Sequence, residues 1–236
     1  MKKINYFLIL LINFSFSCFS QETEKNIQFT LNDTLFFERN ILDGEYHAIF
    51  IDTNKHSKFY DQINNFEFGE FDQKSYDQSI LYFKENNIEL NKFKIEEIPT
   101  KWVILKDYKG TLYNYYPSDF MSHFQIKLTD STVILYTGEG PLANKIDSFE
   151  KISDNKYKFR VSGIYTGFST LIFHIIDYKK GIAVVENQVE PNSSNYCIMI
   201  DSNKINSLPI IVNYCETRKW REFNFEEPNY KQLITE

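Results

Sequence analysis

Cys197 and Cys215 each end the same tripeptide, Asn195-Tyr196-Cys197 and Asn213-Tyr214-Cys215. This repeat is the most specific chemical signal in the chain. If residues 195–201 and 208–215 pair as a hairpin with Cys197 opposite Cys215, Ile200 faces Val212. The loop between them then runs from Ser202 to Pro209, with Asp201, Ser202 and Asn203 as turn formers. The expected chemistry is a disulfide, the simplest state of an isolated cysteine pair in an exported protein. Closing a loop of this length stabilises by about 3 kcal/mol in the chain-entropy model. The alternative is two free structural thiols. A metal site is not expected here, because no histidine or further cysteine stands nearby at ligand spacing.

The other reactive groups are dispersed. His47, His56, His123 and His174 are far apart in sequence. His47, His123 and His174 fall on expected strands and form a set only if the fold brings them together. The simpler reading places His47 at a core edge or on the surface, and His174 as a satisfied interior residue of Phe173-His174-Ile175. Glu139, in Gly138-Glu139-Gly140-Pro141, puts a carboxylate on a loop tip, as an acid/base or ligand contact or simply as a solvated turn. Trp102, Tyr113 and Tyr115, beside Tyr116, are candidates to line a sugar or lipid pocket, against the plainer reading of core and sheet surface. Glycoside hydrolysis needs two carboxylates about 5–9 Å apart, and with 32 acidic residues the sequence nominates no pair. The chain has no Gly-x-Ser-x-Gly elbow, Walker loop, dinucleotide fingerprint or His-Glu-x-x-His. No cofactor or metal is expected, the catalytic residues are unknown, and the missing motifs favour a non-enzyme.

These residues must be positioned mainly by strands. Two turns nearly repeat, Asp107-Tyr108-Lys109-Gly110 and Asp177-Tyr178-Lys179-Lys180-Gly181, each between apolar β-prone runs. A short loop ending in glycine between such runs predicts a hairpin. From Lys101 onward the pattern predicts about eight to ten short strands at regular spacing, the signature of a sandwich or an up-and-down barrel. His123 to Leu128 alternates, with Phe124, Ile126 and Leu128 inward. The strands flanking the second Asp-Tyr turn are apolar on both faces, as in the centre of a stack or barrel. Before Pro99 the character differs. Glu45 to Asp52 is a strand, Ser57 to Asn65 a short helix, and residues 66–71 an alternating strand-like run. A longer helix follows over Gln73 to Asn87, with Asp72 as N-cap and Tyr76, Ile80 and Phe83 on one face. The fold class is mainly β (α+β overall), an antiparallel meander forming a barrel or sandwich with one or two helices in the N-terminal third. The expected division is 1–20, 21–99 and 100–236, with 21–236 as a single domain the alternative. The N-terminal helix is a candidate cover or plug for the sheet.

Residues 1–20 read as a signal peptide: basic Lys2-Lys3, the apolar run Tyr6 to Phe16, then Ser17, Cys18 and Ser20. The run is too short for a stable membrane span, and no later segment is long and apolar enough. Cleavage after Ser20 is expected; lipidation at Cys18 is the alternative, disfavoured by Ser15-Phe16-Ser17 before it. The start Met-Lys-Lys-Ile and the ending Phe-Ser-Gln resemble those of exported proteins of Bacteroidetes-type bacteria. The sparse arginines agree with an AT-rich genome, so the aromatic content of 17% is partly codon supply. Lys101-Trp102 and the C-terminal Arg218 and Arg221 faintly resemble lipocalin-type barrels, but Thr100 stands where that pattern has glycine. The net charge of −6 argues against nucleic acid and anionic membrane surfaces as partners. The expected protein is exported to the periplasm, the outer surface or the medium, and binds a small apolar ligand or an envelope protein. The alternative is a secreted hydrolase of glycans or lipids.

Overall fold

The computed structural model describes residues 34–41, 45–165, 167–190, 193–216 and 221–235. The expected signal peptide, Cys18, Arg218 and Trp220 lie outside them. Strands β1 (Thr34–Ile41) and β2 (Glu45–Asp52) pair antiparallel and lead into helices α1 (Lys58–Ile63) and α2 (Glu70–Glu85). Alternation along β2 sends Ala48 and Phe50 into one apolar cluster and Ile49 into another, as a period of two requires. Helix α2 starts earlier than its apolar stripe predicts. Its N-cap is Gly69, and Asp72, the expected cap, sits at the third helical position with Oδ2 accepting the Gly69 N–H at 3.0 Å. A carboxylate there satisfies a donor at the helix start nearly as well as a cap residue does. The helix thus takes in Glu70 and Phe71, and the expected strand at 66–71 does not form.

The chain continues through β3 (Lys101–Tyr108), β4 (Thr111–Tyr116), β5 (Gln125–Leu128), β6 (Thr132–Thr137), β7 (Gly140–Ser153), β8 (Lys156–Gly163), β9 (Gly167–Asp177), β10 (Ile182–Glu190), β11 (Ser193–Asp201) and β12 (Ile210–Cys215), and ends in a helical turn, α3 (Tyr230–Leu233). The β3–β4 connection is the predicted hairpin. Lys109 and Gly110 both have positive φ, 53° and 75°, the pair of left-handed residues a two-residue type I′ loop needs. Asp107 Oδ1 accepts the Gly110 N–H at 2.9 Å.

Eight strands close a barrel. Running β3-β11-β10-β9-β8-β7-β6-β5, the order returns to β3 because Lys101–Val103 pairs with Gln125–Lys127. Every pairing in that circuit is antiparallel. Strand β3 forks: its first half pairs with β5 and its second half, Leu105–Tyr108, with β4. From the fork a side sheet extends through β4, β12, β2 and β1, with β4 and β12 parallel. Of the two expected architectures, the chain therefore builds the barrel and adds a flap of sheet.

The barrel interior is filled. Trp102, Ile126, Phe159, Phe173, Val185 and Met199 belong to one buried cluster. The Trp102 and Phe173 rings are 5.4 Å apart and Phe159 and Phe173 5.7 Å, spacings of packed aromatic pairs. One end is closed by the segment before β3. There Phe93 and Ile95 pack on this cluster with Ile98, the Phe93 N–H bonds Asp130 O in the β5–β6 turn, and Tyr157 OH bonds Glu97 O. Outside the barrel, Val103, Leu105, Val184 and Ile198 meet α1 and the inner face of the side sheet in a second cluster. This explains why β10 is apolar on both faces. Helix α2 covers the outer face of β6 and β7 through Phe83, Ile134 and Ala143; it is a cover and not a plug.

The expected Cys197–Cys215 bond is not formed. Both cysteines are free, and their strands are not neighbours: Cys197 of β11 pairs with Val185 of β10, Cys215 of β12 with His47 of β2. Strands β3 and β4 lie between. The physical reason is the link 202–209. Asp201 Oδ1 accepts the Asn203 N–H and starts a 3-10 turn over Ser202–Ser207, which carries the chain past the β3–β4 hairpin instead of folding β12 back on β11. Ile200 consequently pairs with Ile182 and Val103, and Val212 with Phe50 and Tyr116. We expect protein denatured without reductant to take up one alkylating group at each of Cys197 and Cys215; peptide masses two hydrogens light and joined would contradict this topology.

Candidate functional site

Strand β3 stays with β11 only from Trp102 to Leu105, opposite Ile198 to Asp201. Beyond that point β3 follows β4 and β11 follows β10, so the two strands part. The gap is a cleft of about 350 Å³, and the C-terminal segment from Glu222 to Pro228, with Tyr230, forms its outer wall. It lies toward the barrel end away from residues 93–98.

Alternation decides what faces the gap. Lys106 shares the Trp102 and Ile104 face of β3, and extending the β3–β11 register by one pair sets it opposite Cys197. Burial holds the Lys106 ammonium below the usual lysine range, against the opposing influence of Cys197, Glu227 and Glu222. Among the described residues no carboxylate lies within ion-pair distance of its Nζ, which sits over the Phe225 ring, 6.0 Å from the centroid. A half-buried ammonium without a close ion pair favours a hydrogen-bond acceptor beside it. Burial pushes the Cys197 thiol up to about 12, so it stays a neutral, weakly nucleophilic SH.

The outer wall is fastened by a polar chain. Tyr115 OH donates to Glu222 Oε2 at 2.5 Å, and Glu222 Oε1 accepts the Asp119 N–H at 2.6 Å. Asn213, fully buried on β12, donates through Nδ2 to Arg221 O at 3.2 Å and to Tyr115 OH at 3.3 Å, while its Oδ1 accepts from His47 Nε2 at 2.8 Å. Burial and the Glu222 carboxylate both raise the Tyr115 pKa, so Tyr115 is a fixed donor. Rings reinforce the contact, Tyr115 to Phe225 at 4.7 Å and Tyr196 stacked on Tyr230 at 5.5 Å.

A second cleft, about 480 Å³, lies on the other side of residues 118–123, between the chain entering α2 and the β6–β7 turn. The third polar cluster is on the outer barrel wall. There Glu186 accepts from Gln188 Nε2 and Ser194 Oγ at 2.8 Å, His174 Nε2 at 3.2 Å and Tyr196 OH at 3.3 Å. Ser194 thus bonds the carboxylate and not the imidazole, which is not the nucleophile–base contact of a triad. Burial holds His174 below the usual histidine range despite Glu186.

The sequence candidates separate. Trp102 is barrel core, and its Nε1 donates to Pro99 O at 2.7 Å. Tyr113 packs half-buried against the cluster around Ile49 and Ile211. Tyr115 lines the first cleft, and Glu139 is the exposed tip beside the second, its carbonyl accepting from Ser75 Oγ. His47 is buried on Asn213 instead of lying at an edge, and Gln125 and His123, expected outward, both reach Ile63 O. The histidines do not converge, and no cluster of three metal-ligating side chains occurs among the described residues. Sequence reasoning missed Lys106 and Glu222. Lys106 had a signal, a charge on the Trp102 face of a strand; Glu222 had none. No family model matches the chain, and neither a curated protein nor a solved structure is similar to it.

Proposed function

We propose that this is an exported, non-enzymatic binding protein of a bacterial envelope, carrying a small, largely apolar ligand beside its barrel and not within it. The observation that carries the reading is the contrast between the filled interior around Trp102, Phe159 and Phe173 and the 350 Å³ cleft where the unpaired Lys106 faces Phe225. Its walls carry Ile104, Ile198, Phe225 and Tyr230, with Asp107, Glu222, Glu226 and Glu227 beside Lys106, and apolar walls with a few placed polar groups are the usual make-up of a ligand site. The ligand sets a hydrogen-bond acceptor against Lys106 and its apolar body against Phe225 and Tyr230. The neutral Cys197 thiol and the Ser194–Glu186 contact favour binding over a hydrolase. Export rests on the basic, apolar and small-residue order of the N-terminus.

Native mass spectrometry of the mature protein from its own host tests this. An adduct that dissociates on denaturation is expected, and it should be lost in Lys106→Met but kept in Lys106→Arg. No adduct, or one indifferent to Lys106, transfers weight to an envelope-interaction role. That second reading is favoured by Tyr165 and Phe168, 64% and 76% exposed around the β8–β9 turn.

A further inference from the structure

The second cleft is a different site with different chemistry. Its rim carries exposed apolar side chains: Phe71 of α2 at 62%, and Phe120 and Met121 of a 3-10 turn over Phe120–Ser122 at 42% and 51%. Phe120 packs edge-on against Tyr116 and His123, at 5.3 and 5.6 Å, yet both phenyl rings keep exposed faces on the lips of one cleft, as a binding surface does. Among the residues lining it there is no lysine or arginine, so nothing in it favours an anion.

Its polar groups are mainly acceptors in fixed positions. Asp72 is oriented by the Gly69 N–H at Oδ2, which leaves its other oxygen for a further donor. Asn65 is held through Oδ1 by the Glu67 N–H. His123 is the most informative. Its Nε2 lies 3.0 Å from Ile63 O, a carbonyl that only accepts, so Nε2 carries the proton and Nδ1 is left as an acceptor. That Nδ1 is buried without a hydrogen-bond partner. An unmet buried acceptor is unfavourable, and His123 is one of the residues lining the cleft.

The turn bearing Glu139 is built for close approach. A Cβ on Gly138 would lie 2.5 Å from Met121 Sδ, and one on Gly140, whose φ is +95°, 2.6 Å from Ser75 Oγ. Glycine at both positions lets the turn close against the 3-10 segment on one side and α2 on the other.

Aromatic lips, oriented acceptors and no cation suit a neutral ligand with many hydroxyl donors and an apolar ring face. We propose that this cleft binds a neutral saccharide, a sugar ring lying against Phe71 or Phe120 and donating hydroxyls to Asp72 and to His123 Nδ1. The proposal is independent of the Lys106 cleft.

Titration calorimetry of the full mature chain with maltohexaose, cellohexaose, xylohexaose and chitohexaose, and with choline as a cationic probe, tests it. At least one oligosaccharide should bind, and the affinity should fall tenfold or more in Phe71→Ala, in Phe120→Ala or in both. Both are surface changes whose thermal midpoints should stay near wild type. Binding of none of the four sugars at millimolar concentration overturns the proposal. So does a sugar whose affinity ignores both phenylalanines, or choline binding more tightly than every sugar.

Discussion

Replacing Trp102 with alanine should destabilise the protein by about 3–5 kcal/mol, the range found when a large aromatic is removed from a packed core. Trp102 is fully buried, meets Phe173 at 5.4 Å and holds Pro99 O through its indole N–H. It therefore ties the barrel interior to the segment that closes one barrel end. Three contributions are lost together: the apolar transfer of the ring, its contacts with the cluster, and the hydrogen bond, whose removal leaves Pro99 O without its indole donor. Trp102→Phe separates them. It retains a ring but no donor, and should lose only about 1–2 kcal/mol. Since small domains are stable by only about 5–15 kcal/mol, the alanine variant should unfold at clearly lower urea concentration with an unchanged slope. A loss below about 1 kcal/mol for alanine would mean that the barrel is not filled as described, and would reopen its interior as a ligand site.

That Trp102 was also a pocket candidate shows what a strand sequence reveals and what it hides. Alternation fixes which residues share a face; it does not say whether that face lines a cavity or meets the opposite wall. The β3–β4 hairpin was legible because Lys109-Gly110 permits one kind of turn, and the filled face of β5 because Ile126 and Leu128 alternate with polar neighbours. Barrel closure was not legible, since it depends on Lys101–Val103 pairing with Gln125–Lys127 across a β4 that leaves to join another sheet. The cysteine hairpin failed for the same reason. A repeated tripeptide describes two similar strands, while the partner of each is set by long-range pairing, here with β2 for Cys215 and β10 for Cys197. Tyr115 was legible only as an aromatic. Its role depends on Glu222, 107 residues away, and nothing local encodes that contact.

His123 should make the protein sensitive to acid in a defined window. Burial brings its folded-state pKa down to about 4, opposed by the bond to Ile63 O and assisted by the charge of Lys106; in the unfolded chain it titrates near 6.5. Between these values the unfolded state binds the proton more readily, so stability rises with pH across that interval. The contribution of the neutral imidazole is fully present above about pH 6.5 and is lost as pH falls through about 4, and a depression of this size corresponds to roughly 3 kcal/mol. Carboxylates also take up protons as the pH falls, and Glu186 is among the perturbed ones, its pKa raised by burial but lowered on balance by its four donors. The comparison must therefore be made against His123→Gln, which cannot take up the proton and keeps an amide donor for Ile63 O. Urea unfolding at pH 7 and pH 4 should show wild type losing about 3 kcal/mol more than the variant. Equal losses would mean that burial does not depress the His123 pKa, and would contradict the buried neutral imidazole whose Nδ1 is the acceptor proposed to meet a sugar hydroxyl.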